Sequence, residues 1–287
     1  MRCIRVESLE DPRLDDYRAI KERQLLPAFS WAAQRRPDPE APWGKFMAEG
    51  EVVLHRLVRS TCRTLSVLVT PTRLNAAEAD LALLPPDTPV FVIEPAHLEP
   101  LTGFSLHRGL IAVAARPRPL EPEAVAAKAA PGRPLVILED LSNHDNVGGV
   151  FRNAAAFGAA GVLLSPRCAD PLYRKSVRVS VGYAMTVSWA FVMDWPAGVA
   201  RLRDRGIEVL AMTPGPGAER LQDAAIACRG KPAAVLLGAE GPGLTAGALA
   251  AGTRRVSIAM AAGVDSLNVV VAGAVALHAL ATPERGV

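Results

Sequence analysis

The residue types able to do chemistry collect in three short segments. The first is Ser142-Asn143-His144-Asp145-Asn146-Val147-Gly148-Gly149, with Arg152 following. Ser142, Asn143 and Asp145 are good helix N-caps, and Gly148 and Gly149 let backbone come close to a ligand. Arg152 projects from the first turns of the ensuing helix, where a guanidinium can fork onto a carboxylate or a phosphate. Alone, the segment reads equally as a capped helix with a surface arginine. The second is Gly238-Ala239-Glu240-Gly241-Pro242-Gly243-Leu244, whose three glycines and one acid suit a loop that wraps a flat ligand with backbone groups; the plainer alternative is a strand-to-helix turn. The third is Ser266-Leu267-Asn268, ahead of an apolar helix to Leu280. Ser266 is placed to cap that helix, which puts Asn268 in its first turn. The combined set orients and clamps by hydrogen bonding. No G-x-S-x-G elbow or P-loop lysine supports a hydrolase or an NTPase.

Each segment follows an apolar run expected as a strand: residues 135–141, 233–238 and 254–260. Further strands are expected at 161–165 and 207–213, with helical segments between, including one over 147–157. Apolar strands alternating with helices predict an α/β fold with a mostly parallel sheet covered on both faces, and ligands of such sheets gather at the carboxyl ends of strands. The N-terminal part carries strand candidates at 66–70, 90–93 and 110–114 and a helical pattern over 46–60, a small α/β module. Pro-rich stretches lie at 36–43, 84–89 and 116–134; the last is long and reads as an interdomain linker. The expected organisation is an extension over 1–42, a small domain over 43–117, a linker over 118–133 and a larger domain over 134–287.

A length of 287 residues accommodates two such domains. Only 5% of residues are aromatic, so Ala, Val, Leu and Gly must build the core, as tight parallel α/β layers allow. A net charge of +3 is no basic footprint. Cys3, Cys62, Cys168 and Cys228 are scattered, as are His55, His97, His107, His144 and His278, so neither a disulfide framework nor a metal site is expected. The acidic, polar N-terminus is unlike a signal peptide. The longest apolar stretch, 269–280, is too short to span a bilayer and contains His278. A soluble, cytoplasmic protein with no membrane contact is the expectation.

Taken together and in this order, the three segments resemble the SpoU/TrmH family of knotted RNA 2′-O-methyltransferases. The family's first motif is Asn-x-Gly with an Arg on the next helix, here Asn146-Val147-Gly148 and Arg152-Asn153-Ala154-Ala155. The second is Gly-x-Glu-Gly-x-Gly-Leu, here residues 238–244. The third is a strand ending Ile-x-Met and then Ser-Leu-Asn-Val, here Ile258-Ala259-Met260 and Ser266-Leu267-Asn268-Val269. Ala259 stands where the family usually has Pro, and His144-Asp145 where Asp-Pro-x often precedes the Asn. The resemblance covers about 134–280. Residues 44–54 and the run 108–114 resemble the opening and close of the small ribosomal-protein-like RNA-binding domain that many members carry; residues 1–42 match nothing.

This resemblance implies a deep trefoil knot at the C-terminal helix, which bare physical expectation makes very rare. It implies S-adenosylmethionine as cofactor, a ribose 2′-hydroxyl of structured RNA as acceptor (ribosomal RNA favoured over transfer RNA), and a homodimer. Thr213, Gly238, Gly241, Ile258 and Leu267 would hold the cofactor, with Met260 as apolar wall. Arg152 would stand closest to the acceptor proton. Because a free guanidinium is effectively always protonated, it acts at least in part as a phosphate clamp. Asn146 and Asn268 would orient Arg152 and the ribose, Ser266 would bridge the same network, and Glu240 would fix loop geometry or pair with Arg152. Arg174, Lys175 and Arg178 are candidate phosphate contacts, a solvated helix face being an equal reading. Two rivals stand beside this: a catalytically inactive RNA-binding or ribosome-assembly protein of the same fold, and a dinucleotide enzyme, since residues 241–246 fit G-x-G-x-x-A with Asp265 beyond. Too few residues follow position 246 for the rest of a dinucleotide domain.

Overall fold

The computed structural model describes residues 2–19, 25, 38–104, 106, 109–215 and 217–282. His107 and Arg108, and Arg36 and Pro37 of the first Pro-rich stretch, lie outside them. The chain forms two compact units, Met1–Pro119 with Leu172–Thr186, and Leu120–Pro171 with Val187–Val287.

The first unit begins with β1 (Arg2–Arg5) and continues through β2 (Lys45–Glu49), α1 (Glu51–Leu57), β3 (Thr64–Val69), α2 (Pro71–Ala76), α3 (Glu78–Leu81), β4 (Pro89–Val92), α4 (Pro95–Thr102) and β5 (Leu110–Ala115). Its sheet runs β1-β4-β3-β5-β2. β2 and β5 pair antiparallel, from Lys45 opposite Ala115 to Glu49 opposite Ile111. One expectation is corrected here. Residues 46–49 are strand, not helix, because Gly50 at φ 94° breaks the run and starts α1 only at Glu51. Within the expected extension over 1–42, Arg2–Arg5 join the sheet of the small unit, where β1 pairs with β4 as an edge strand.

The second unit opens with α5 (Pro122–Ala126), β6 (Leu135–Leu138), α6 (His144–Ala156) and β7 (Gly161–Leu164). The chain then supplies α7 (Arg174–Val179) to the first unit. It returns with β8 (Trp189–Phe191), α8 (Ala197–Asp204), β9 (Glu208–Met212), β10 (Glu219–Arg220), α9 (Leu221–Ala227), β11 (Ala233–Leu237), α10 (Ala246–Ala251), β12 (Arg254–Ser257) and α11 (Val269–Leu280). The seven strands are ordered β10-β12-β9-β11-β6-β7-β8, and every pair is parallel.

All four residues of β6, β7 and the five of β11 are buried, which is why these runs read as uninterrupted hydrophobic stretches rather than alternating ones. Leu135, Ile137, Ala234 and Leu236 pack on one face with Val125, Val199, Leu202 and Ala248 of α5, α8 and α10. Each fully buried Val, Leu or Ile contributes about 1.5–3 kcal/mol relative to exposure. On the other face lie α6 and α11, whose close approach depends on Gly149: a Cβ there would meet the Val270 methyls at 2.8 Å. The stretch expected as a linker over 118–133 instead contains α5, with Val125 fully buried, because its Ala and Val side chains find the β7–β8 edge to cover. Among the described residues no helix is long and apolar enough to cross a membrane.

Candidate active site

The three chemistry-bearing segments are the loops after β6, β11 and β12, all at strand carboxyl ends. In the first, Asn143 caps α6 by accepting the Asp145 N–H at 2.9 Å. That places Asn146 in the first turn, 6% exposed. Deeper in the loop, Asp140 adopts φ 57°, a conformation costly for most L-residues and tolerated by Asp. It is held there by the Ser165 hydroxyl at 2.7 Å and by Arg167. The Arg167 guanidinium keeps the Asp140 carboxyl below the usual carboxylate range.

In the second loop, Gly243 N–H donates to the Ala239 carbonyl at 3.0 Å, folding residues 239–243 back on themselves. A Cβ on Gly238 would lie 2.4 Å from the Gly243 carbonyl carbon, so only glycine permits that closure. Glu240 stands at the tip, exposed.

The third loop is where the segments join. Asn268, not Ser266, caps α11: its Oδ1 accepts the Val270 N–H at 2.9 Å. With the oxygen so committed, its Nδ2 donates to Asn146 Oδ1 at 3.3 Å and to Glu240 Oε1 at 3.1 Å. One side-chain amide therefore touches all three loops, with every donor and acceptor used in a mutually consistent way. Asn153 Nδ2 adds a bond to the Val270 carbonyl at 2.8 Å, tying α6 to the same helix start.

Two further expectations change. Ser266 does not enter the Asn146–Asn268–Glu240 junction; its hydroxyl donates to Asp265 at 3.3 Å, because the cap lies two residues later than the sequence pattern implied. Glu240 is bonded to Asn268, and no ion pair joins it to Arg152 among the described residues. Arg152 lies in the third turn of α6, exposed, and makes no hydrogen bond or ion pair to any described residue.

A cleft of about 200 Å³ opens beside the junction. Thr213, Gly238, Gly241, Ile258, Met260 and Leu267 all line it, with Glu240 and Ser266. Glu240 is the one charged residue among its described walls. An apolar slot, bordered by backbone polar groups and one carboxylate, suits a flat ring system carrying a positive centre. No group of three His, Cys, Asp or Glu side chains among the described residues is arranged to hold a metal.

Arg174, Lys175 and Arg178 belong to α7 of the first unit. Arg174 donates to Glu49 at 2.7 Å, and Arg178 stands 3.5 Å from the same carboxylate, itself only 3% exposed. Arg174 also stacks over Phe104 at 4.0 Å. These two arginines neutralise a buried acid, a role that their basic spacing alone does not reveal. Sequence reasoning also passed over Glu139, a buried carboxylate beside the first loop; an apolar run ending in Glu-Asp gives no sign that the Glu turns inward.

The SpoU rRNA methylase family model matches residues 133–278. An uncharacterised tRNA/rRNA methyltransferase of Mycobacterium tuberculosis is 40% identical over 272 residues, covering 94% of this chain and 88% of the relative. Among solved structures, an RNA 2′-O ribose methyltransferase is 26% identical with a TM-score of 0.74, covering 96% of this chain and 98% of that one. An AdoMet-bound rRNA methyltransferase from Sinorhizobium meliloti shares the fold at 21% identity and a TM-score of 0.74, with 97% of each chain covered. The chain belongs to the SpoU family of tRNA/rRNA methyltransferases.

Proposed function

We propose that this protein transfers a methyl group from S-adenosylmethionine to a ribose 2′-hydroxyl of structured RNA, with ribosomal RNA favoured over transfer RNA because an accessory α/β unit precedes the methylase unit. The observation that carries the reading is the Asn268 junction, which brings Asn146, Glu240 and the cleft into one place. Expectation from the solved relative named an RNA 2′-O ribose methyltransferase points the same way. The trefoil knot at α11 and a homodimer belong to the same reading. The latter is supported by Val271 and Val275, which leave an apolar i, i+4 stripe of α11 49% and 38% exposed.

The residues present fit the cofactor. When bound, S-adenosylmethionine supplies an electrophilic methyl on a positive sulfonium. Met260 and Ile258 give the slot its apolar wall, backbone at Gly238 and Gly241 borders it, and Glu240 supplies negative charge. The chain's remaining task is to hold a poor nucleophile in line and assist loss of its proton. Asn146 and Asn268 orient by hydrogen bonding. Arg152, exposed and without a partner among the described residues, clamps the neighbouring RNA phosphate.

Arg152→Ala should lower methyl transfer at least about 100-fold, while affinity for S-adenosylhomocysteine by calorimetry stays within about twofold. Asn146→Ala should be nearly as damaging. Full turnover in the Arg152 variant would remove this mechanism.

A further inference from the structure

The second loop has a fixed start and a fixed end, and one residue holds both. The Glu139 backbone N–H donates to the Leu237 carbonyl at 2.8 Å, the last residue before the loop. Its carboxylate accepts the Thr245 N–H at 2.8 Å and the Thr245 hydroxyl at 2.7 Å, the first residue after it. The Trp195 indole N–H completes the set at 2.6 Å. Thr245 is used twice, since its hydroxyl oxygen also accepts the Ala248 N–H at 3.2 Å and caps α10.

Glu139 is 1% exposed and has no ion-pair partner among the described residues. Burying a carboxylate whose hydrogen-bond donors are all neutral is costly, even with every hydrogen bond made and with the Arg167 charge acting on it at longer range. A nonpolar residue would seal the site at lower cost. What the carboxylate supplies, and a nonpolar residue would not, is two acceptor oxygens that dictate where residue 245 sits relative to residue 237. Between those anchors lie the loop residues Gly238, Glu240 and Gly241 that wall the cleft.

We propose that Glu139 is a positioning residue for cofactor binding: acting through Thr245, with Trp195 steadying it, it sets the span of the 238–244 loop to the shape the bound cofactor requires. This rests on reading the cleft as the S-adenosylmethionine site. Glutamine at 139 keeps the size but turns an N–H group toward donors, so one bond of the set must be lost and a clash of donors gained.

The test is calorimetric titration of the full chain with S-adenosylhomocysteine. Glu139→Gln and Thr245→Val should each weaken binding about tenfold or more, whereas Thr245→Ser, which keeps the hydroxyl, should stay within about twofold of wild type. In parallel, the indole N–H resonance of Trp195, assigned through Trp195→Phe, should shift on titration in the wild type and lose that response in Thr245→Val. Should Glu139→Gln not fold, Thr245→Val decides by the same criterion. Wild-type affinity in both Glu139→Gln and Thr245→Val overturns the role of Glu139 alone. Absence of binding by the wild type overturns the cleft assignment and this proposal together.

Discussion

At the scale of single residues, Asn268 bears the heaviest demand. Its oxygen caps α11 and its nitrogen joins two other loops, so the two halves of one amide serve stability and site geometry separately. Asn268→Asp separates them. Aspartate caps a helix as well as asparagine, but it cannot donate to Asn146 and it opposes the Glu240 carboxylate. The thermal midpoint should stay near wild type while methyl transfer falls at least about tenfold, the loss expected from breaking one neutral and one charge-assisted hydrogen bond. Equal activity in this variant would show that the junction is only a cap. The sequence pattern chose Ser266 as the cap because Ser and Asn cap alike and stand two positions apart. Which one the helix uses is decided by where backbone geometry turns helical, and nothing in residue type encodes that.

At the scale of elements, the approach of α6 to α11 is what places Asn146 within reach of Asn268. Gly149 permits it, with Val270 against its face. Gly149→Ala should destabilise the fold by about 1–3 kcal/mol through overpacking, read by chemical denaturation. Val270→Ala should relieve part of that, so the double variant is less damaged than the two single costs added. Strictly additive losses would place the strain elsewhere. Strands β6, β7 and β11 were legible because every residue in them is buried, so each reads as an unbroken apolar run. Strands β1, β8 and β10, of four, three and two residues, are too short to show a period, and β1 depends on a partner more than 80 positions away, with Arg2 opposite Pro89. Residues 122–126 were hidden by flanking prolines that look like a linker, although Pro122 merely starts α5 at a position where its missing N–H costs nothing.

At the scale of the whole molecule, the charge and apolar patterns bear on partners in different ways. Arg174 and Arg178 look like a phosphate-binding cluster, yet both face Glu49 within their own unit. The exposed Val271 and Val275 are the opposite case, a nonpolar stripe on the helix that also carries the Asn268 cap. A homodimer built on that stripe should give a light-scattering mass twice the 30.3 kDa of the chain, and Val271→Glu with Val275→Glu should reduce it to a single chain with the thermal midpoint of the monomer preserved. A wild-type mass of one chain would contradict the dimer.

Ribose methylation by this chain is tested most directly by nucleotide-resolution mapping of 2′-O-methyl groups in RNA from cells with and without the protein. The account predicts that one or a few defined 2′-O-methylated riboses, in ribosomal RNA first, disappear without it and return with wild-type protein but not with Arg152→Ala. Identical ribose methylation in both cell lines, or a lost methyl located on a base, would contradict it.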